Sequence, residues 1–128
     1  MSDRRVIVEM GMGNDQYGMD YTKAAARAIK DAIRHSALPL FQAVGLPAET
    51  MRVQVTVGVH EPGRVDTSAL AKTLPRGQAT VRAVQGGLNV ENPDTGTTIV
   101  IATAAVEAFV PPQTGWRLRG KKGSGELP

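Results

Sequence analysis

The chain of 128 residues is long enough for one domain with a core of its own, and it has no cysteine, which excludes a disulfide scaffold and thiolate chemistry. Aromatic residues make up only 4% of a 41% hydrophobic composition, so the core must be built from Val, Ala, Ile and Leu, small side chains that also suit subunit contacts. The net charge of +3 arises wholly after residue 110, where Arg117, Arg119, Lys121 and Lys122 face Glu126 alone, so the body of the chain is neutral and lacks the basic surface expected of a nucleic-acid-binding fold.

No secretory leader pattern follows Met1, and no apolar run reaches the ~18 residues of a membrane span, so a soluble cytoplasmic protein is expected. The first predicted element is a strand over 4–10. A glycine-rich loop, Gly11-Met12-Gly13-Asn14-Asp15-Gln16-Tyr17-Gly18, follows it. Asp20 or Thr22 then caps a helix running to about His35, with Ala25, Ala28, Ile29, Ala32 and Ile33 on one apolar face and Lys23, Arg27, Lys30 and Arg34 on a solvated one. Leu38-Pro39 ends or interrupts that helix, 40–44 adds a turn, and Gly45-Leu46-Pro47 signals a further turn.

The clearest strand is 52–60, where Val53, Val55, Val57 and Val59 alternate with more polar residues. Glu61-Pro62-Gly63 breaks it. Asp66 or Thr67 caps a short helix over 68–73, and Leu74-Pro75-Arg76-Gly77 closes that helix. A strand over 78–85 bends at Gly86-Gly87 and continues over 88–91. Asn92-Pro93-Asp94-Thr95-Gly96 is a turn, and 97–110 is a long strand, apolar on both sides over 99–102, as a central strand covered on both faces would be. The order β-α-β-α-β-β predicts an α+β fold: a two-layer sandwich of a four-stranded mixed sheet with helices on one face, its last two strands a hairpin. Residues 1–112 are expected to form this single domain and 113–128 a basic, flexible tail. The uncovered sheet face, rich in Ala, Thr and Val, is expected to pack against another subunit, giving a homo-oligomer.

Gly11-x-Gly13 before a helix resembles the start of a dinucleotide fingerprint, but the third glycine should fall at Gln16, and no acidic residue closes a second parallel strand. A Walker loop fails as well, because Thr22-Lys23 reverses the required order. What remains is general: glycines let backbone N–H groups approach a ligand, a helix N-terminus favours an anion, and Lys23 stands in the first turn. Asp15 offers a base or a hydrogen-bond acceptor, and Tyr17 and Asp20 crowd the same stretch. Gly11, Gly13, Asp15, Tyr17, Gly18, Asp20 and Lys23 are therefore the candidate ligand-binding residues. Asp15, Lys23 and His60, the last at the end of the clearest strand, are the candidate catalytic ones.

With two histidines and no cysteine, zinc is disfavoured; Asp15, Asp20 and Glu9 could at most hold a hard cation, and no metal site is assigned. No cofactor class is indicated. Ser68 and Lys72, four apart on a helix, form a common and weak nucleophile pattern.

Gly11-x-Gly13-x-Asp15-x-Tyr17-Gly18, followed by Asp20-x-Thr22-Lys23-Ala24-Ala25-x-Arg27-Ala28, resembles an uncharacterised family of bacterial and plant proteins founded on a Listeria hypothetical protein. The family signature is Gly-x-Gly-x-Asp-x-His-Gly, and this chain has Tyr17 in place of the histidine. Leu74-Pro75-x-Gly77 and Gly86-Gly87 are similar to later segments of that family, so the likeness spans most of 5–110. It implies a fold unit and a site rather than a reaction. Three functions are expected in order: a homo-oligomer binding a small polar or anionic ligand at the 11–18 loop and the following helix start; a hydrolase or proton-transfer enzyme acting on an amide or carbonyl compound, similar to cyclic-amide hydrolases; and a nucleic-acid accessory protein acting through its basic tail.

Overall fold

The computed structural model describes residues 3–34, 51–74 and 78–111. Strand β1 (Arg4–Asp15) leads to helix α1 (Tyr21–Arg34), then β2 (Arg52–Val59), a 3-10 turn (Pro62–Arg64), the short helix α2 (Thr67–Ala71), β3 (Gln78–Gln85), β4 (Leu88–Glu91) and β5 (Thr98–Val110). The fold is α+β, as the sequence predicts, with the helices on one face of a mixed sheet. Among the described residues the sheet has five strands rather than four, in the order β1-β5-β2-β3, with β4 also paired to β5. The β2–β3 pair is parallel and every other pair antiparallel.

The fifth strand arises at Gly86-Gly87, where the sequence predicts only a bend within one strand. The chain leaves the side of β2 there and crosses the end of that strand to pair with β5. Gly86 N–H donates to Val59 O at 2.9 Å, and Gly87 adopts φ +63°. A Cβ at Gly87 would overlap Ile101 O and lie 2.8 Å from Gly58 O, so no larger residue fits this corner. β4 then forms the expected hairpin with β5 through Asn92–Thr97, where Asn92 N–H donates to Thr97 O and Gly96 takes φ +72°.

β1 runs five residues beyond the predicted end at Met10. Gly11 and Gly13 are strand residues facing α1, not loop residues. A Cβ at Gly11 would overlap Ala32 N and Ala28 O, and one at Gly13 would overlap Ala28 N. The two glycines, with Ala24, Ala25, Ala28 and Ala32 at zero exposure, let the helix settle directly onto the strand. The core between them is completed by Ile29, Val53, Val55, Val57, Val59, Val100, Val106 and Val110.

α1 begins one residue after its cap, Asp20, whose Oδ1 accepts the Lys23 N–H at 3.0 Å. Its predicted end at His35 and the turns over 36–50 lie outside the described residues, as do 75–77 and the tail. Asp66 caps α2 by accepting the Ala69 N–H at 3.0 Å. β5 is central in the sheet, as predicted, but among the described residues a helix covers only one of its faces: Val100, Ala102, Ala104, Val106 and Ala108 are buried under α1, while Ile99 and Ile101 on the other face stay half-buried.

Candidate functional site

At the end of β1 the chain must turn into α1. Gly18 (φ +90°) and Met19 (φ +50°) both adopt left-handed backbone to make that turn. Asp15 holds the turn from below: its side chain is 5% exposed, and Oδ2 accepts the Asp20 N–H at 2.9 Å. Oδ1 faces Arg27 Nη1 at 3.7 Å and Lys23 Nζ at 4.0 Å. Arg27 Nη1 also donates to Asn14 O at 2.7 Å. Both cationic side chains are about half exposed, at 54% for Lys23 and 50% for Arg27. Asp15 therefore has a structural task in shaping the loop, and two cations lean over the same carboxylate from the solvent side.

The expected site residues separate accordingly. Asp15, Gly18, Asp20 and Lys23 come together at the helix start. Gly11 and Gly13 lie under α1, where packing accounts for the absence of a side chain. Tyr17 projects into solvent at 76% exposure. His60 is exposed just past β2, at the same end of the sheet as Asp15 but with β5 between them.

A second polar group at this helix start is absent from the sequence reading. Tyr21, the first residue of α1, is 1% exposed. Its Oη donates to Glu61 Oε2 at 3.0 Å and accepts from Asn89 Nδ2 at 2.8 Å. Arg64 Nη1 donates to Glu61 Oε2 at 3.4 Å, and its guanidinium stands 4.9 Å from the centroid of the Tyr21 ring. Asn89 Oδ1 is buried without a hydrogen-bond partner among the described residues.

Register ties the two groups together. Asp15 and Asn89 both pair with Val100, one from each side, so they stand on one row of the sheet, about 10 Å apart by strand spacing. Both point toward α1. Asn89 alternates with the apolar Leu88 and Val90, so the sequence pattern assigns it to solvent, and only the strand register reveals that it faces α1. Among the described residues no three His, Asp or Glu side chains gather as a metal-binding group, and no helix is long and apolar enough to cross a membrane.

Residues 5–108 match the family described as conserved hypothetical protein (Lin0512_fam). The chain belongs to the Lin0512 family. The resemblance drawn from the glycine-rich segment thus extends over most of the chain. A crystal structure at 1.22 Å resolution of an FtsZ-like protein of unknown function from Nostoc punctiforme PCC 73102 is similar, with 36% sequence identity and a TM-score of 0.76. The match covers 88% of this chain and 99% of that one. No curated protein matches the chain. The family and its solved relative are both of unknown function, so the reading of this member rests on its own site.

Proposed function

We propose that this Lin0512 family member binds a small ligand carrying an anionic group at the start of α1, and that it does so as a homo-oligomer. The observation that carries the ligand reading is the convergence of Lys23 and Arg27 on one loop. Lys23 Nζ stands beyond hydrogen-bond length from Asp15 Oδ1, so its donors face solvent over the turn. Asp15 and the capping Asp20 balance the two cations in number, but Asp15 is buried and both cationic heads lie on the solvent side of the turn, where an anion can meet them. Farther along the same row, Asn89 Oδ1 is a buried acceptor that a water can satisfy, beneath the helix rather than at the rim. A compact molecule carrying a carboxylate or phosphate suits the two half-exposed cations.

The geometry does not favour the enzymatic alternative on Asp15. Its Oδ2 is occupied by the loop backbone and its Oδ1 faces two cations, which suits an anchor better than a base. The accessory role in nucleic-acid binding rests on residues outside the described ones.

The test is a thermal-shift screen of phosphate, sulfate and small carboxylic acids against the wild type and Lys23→Met. A ligand at about a hundred times its Kd stabilises by about 2.7 kcal/mol, a shift of several degrees for a domain of this size. The expected result is a shift in the wild type that Lys23→Met loses. Equal shifts in both proteins, or no shift with any of the compounds at millimolar concentration, would overturn the ligand reading.

A further inference from the structure

The sheet face opposite α1 has no element of the described chain against it, and it is apolar. Its strands carry Val8, Met10 and Met12 on β1, Val84 on β3, and Leu88 and Val90 on β4, with Met10 at 74%, Met12 at 61% and Leu88 at 58% exposure. Register places these side chains on one continuous surface, because Met10 pairs with Ala105, Met12 with Thr103 and Leu88 with Ile101, all of the outward parity of β5. Together the exposed parts amount to roughly 600 Å², the upper limit for the largest apolar patch of an ordinary monomer and close to the ~800 Å² that one partner contributes to a standard interface.

We infer that this face is the contact surface for a second copy of the chain, the two sheets packing face to face. The inference rests on the oligomeric half of the proposed function and is independent of the ligand half. Size allows a second copy, and shape and charge select it over another partner. The patch matches in size what a self-association interface needs. Its shape is self-complementary, because a ridge formed by Met10 and Met12 runs beside a groove of ≈590 Å³ floored by Gly58 and Thr103 and bounded by Val84 on the far side. Across a two-fold axis, the methionine ridge of one copy meets the groove of the other. Gly58 has no side chain to fill that groove, and methionine is flexible enough to seat in it.

The charges agree. Those at the polar end of the face are satisfied within the chain: Arg5 pairs with Glu107 at 3.1 Å, and Arg52 pairs with Asp3 at 3.0 Å while stacking 4.0 Å over the Phe109 ring. Arg82 Nη2 donates to Thr56 Oγ1 at 3.3 Å. No row of unpaired charge is left to choose an acidic or basic partner, and this end can serve as the polar rim of an apolar contact.

The experiment is light scattering coupled to size-exclusion chromatography on the full chain, over a hundredfold dilution series. The wild type should elute at a multiple of 13.6 kDa. Met10→Asp and Leu88→Asp, on different strands of the same face, should each weaken association by about tenfold or more and move the protein toward monomer mass with an unchanged circular-dichroism spectrum. Lys30→Glu, on the solvent side of α1, should leave the mass unchanged. Should one aspartate variant fail to fold, Met12→Gln tests the same ridge without a charge. A wild type that stays monomeric throughout, or folded variants that keep the wild-type mass, would overturn the inference. A ligand-induced thermal shift in a monomeric wild type would overturn it too, while leaving the ligand reading intact.

Discussion

Under α1 the sheet presents Val, Ala and Gly, and the helix rests on strand backbone; on the reverse side the same strands raise Met10, Met12, Leu88 and Val90 into solvent. The two surfaces alternate residue by residue along β1: Gly11 and Gly13 face the helix, Met10 and Met12 face away. On the covered side shape is set by backbone, so size is constrained at every position. On the open side flexible side chains project from a sheet already complete, so the isolated fold tolerates change there. A glycine and its neighbouring methionine thus answer to different physical demands, although they form one short motif.

The largest expected difference between the faces comes from Gly13→Ala. Its Cβ would overlap the Ala28 backbone, which cannot yield without shifting the whole helix. A loss of about 3 kcal/mol or more is expected in urea unfolding, against less than about 0.5 kcal/mol for Met12→Ala at dilutions where only single chains are present. Equal effects from the two would erase the distinction between the faces.

Tyr21→Phe comes next and probes the polar part of the covered face. It removes the donor to Glu61 and the acceptor of Asn89, and a loss of about 1–3 kcal/mol is expected. Adding Asn89→Leu to Tyr21→Phe should recover part of that loss, because the stranded amide goes with it; a double variant less stable than Tyr21→Phe would contradict this account. Asp20→Ala should cost about 1 kcal/mol through loss of the α1 cap, measured by the same unfolding curves.

The smallest effect lies at the polar end of the open face. The Arg52 guanidinium, hydrogen-bonded to Asp3, holds the Asp3 carboxyl below the usual carboxylate range. A depressed folded-state value means that the pair contributes stability above the ordinary carboxylate pKa and loses it as the pH falls through the lowered one. Melting temperatures of wild type and Asp3→Asn should therefore differ slightly at neutral pH and converge in acid. Curves that stay parallel down to about pH 2 would show the pair to be inert.

Much of the covered face was legible in sequence because it is built from repetition. Alternating valines mark β2, three- and four-residue alanine spacing marks α1, and Asn92 to Gly96 marks the hairpin. Gly11-Met12-Gly13 misled for a physical reason: glycine signals a loop by its freedom, but here it serves by its lack of bulk beneath a helix, and only the packed structure distinguishes the two uses. Half of the candidate site was visible, since Asp15, Asp20 and Lys23 lie within nine residues. Tyr21, Glu61, Arg64 and Asn89 come from three separate segments, and only strand register and the lie of α1 bring them together. The step from β3 to β4 was hidden similarly, because a bend and a change of partner look alike in one dimension.

The position of β5 bears on the birth of the molecule. It pairs with β1, β2 and β4, and β1 has no other strand partner among the described residues. Since β5 is the last strand among the described residues, β1 leaves the ribosome without the strand it pairs with, and the sheet closes only once residues 98–110 have emerged. Until then the valines of β2 lack their partner strand, a window in which a chaperone, or another nascent chain, can reach them first.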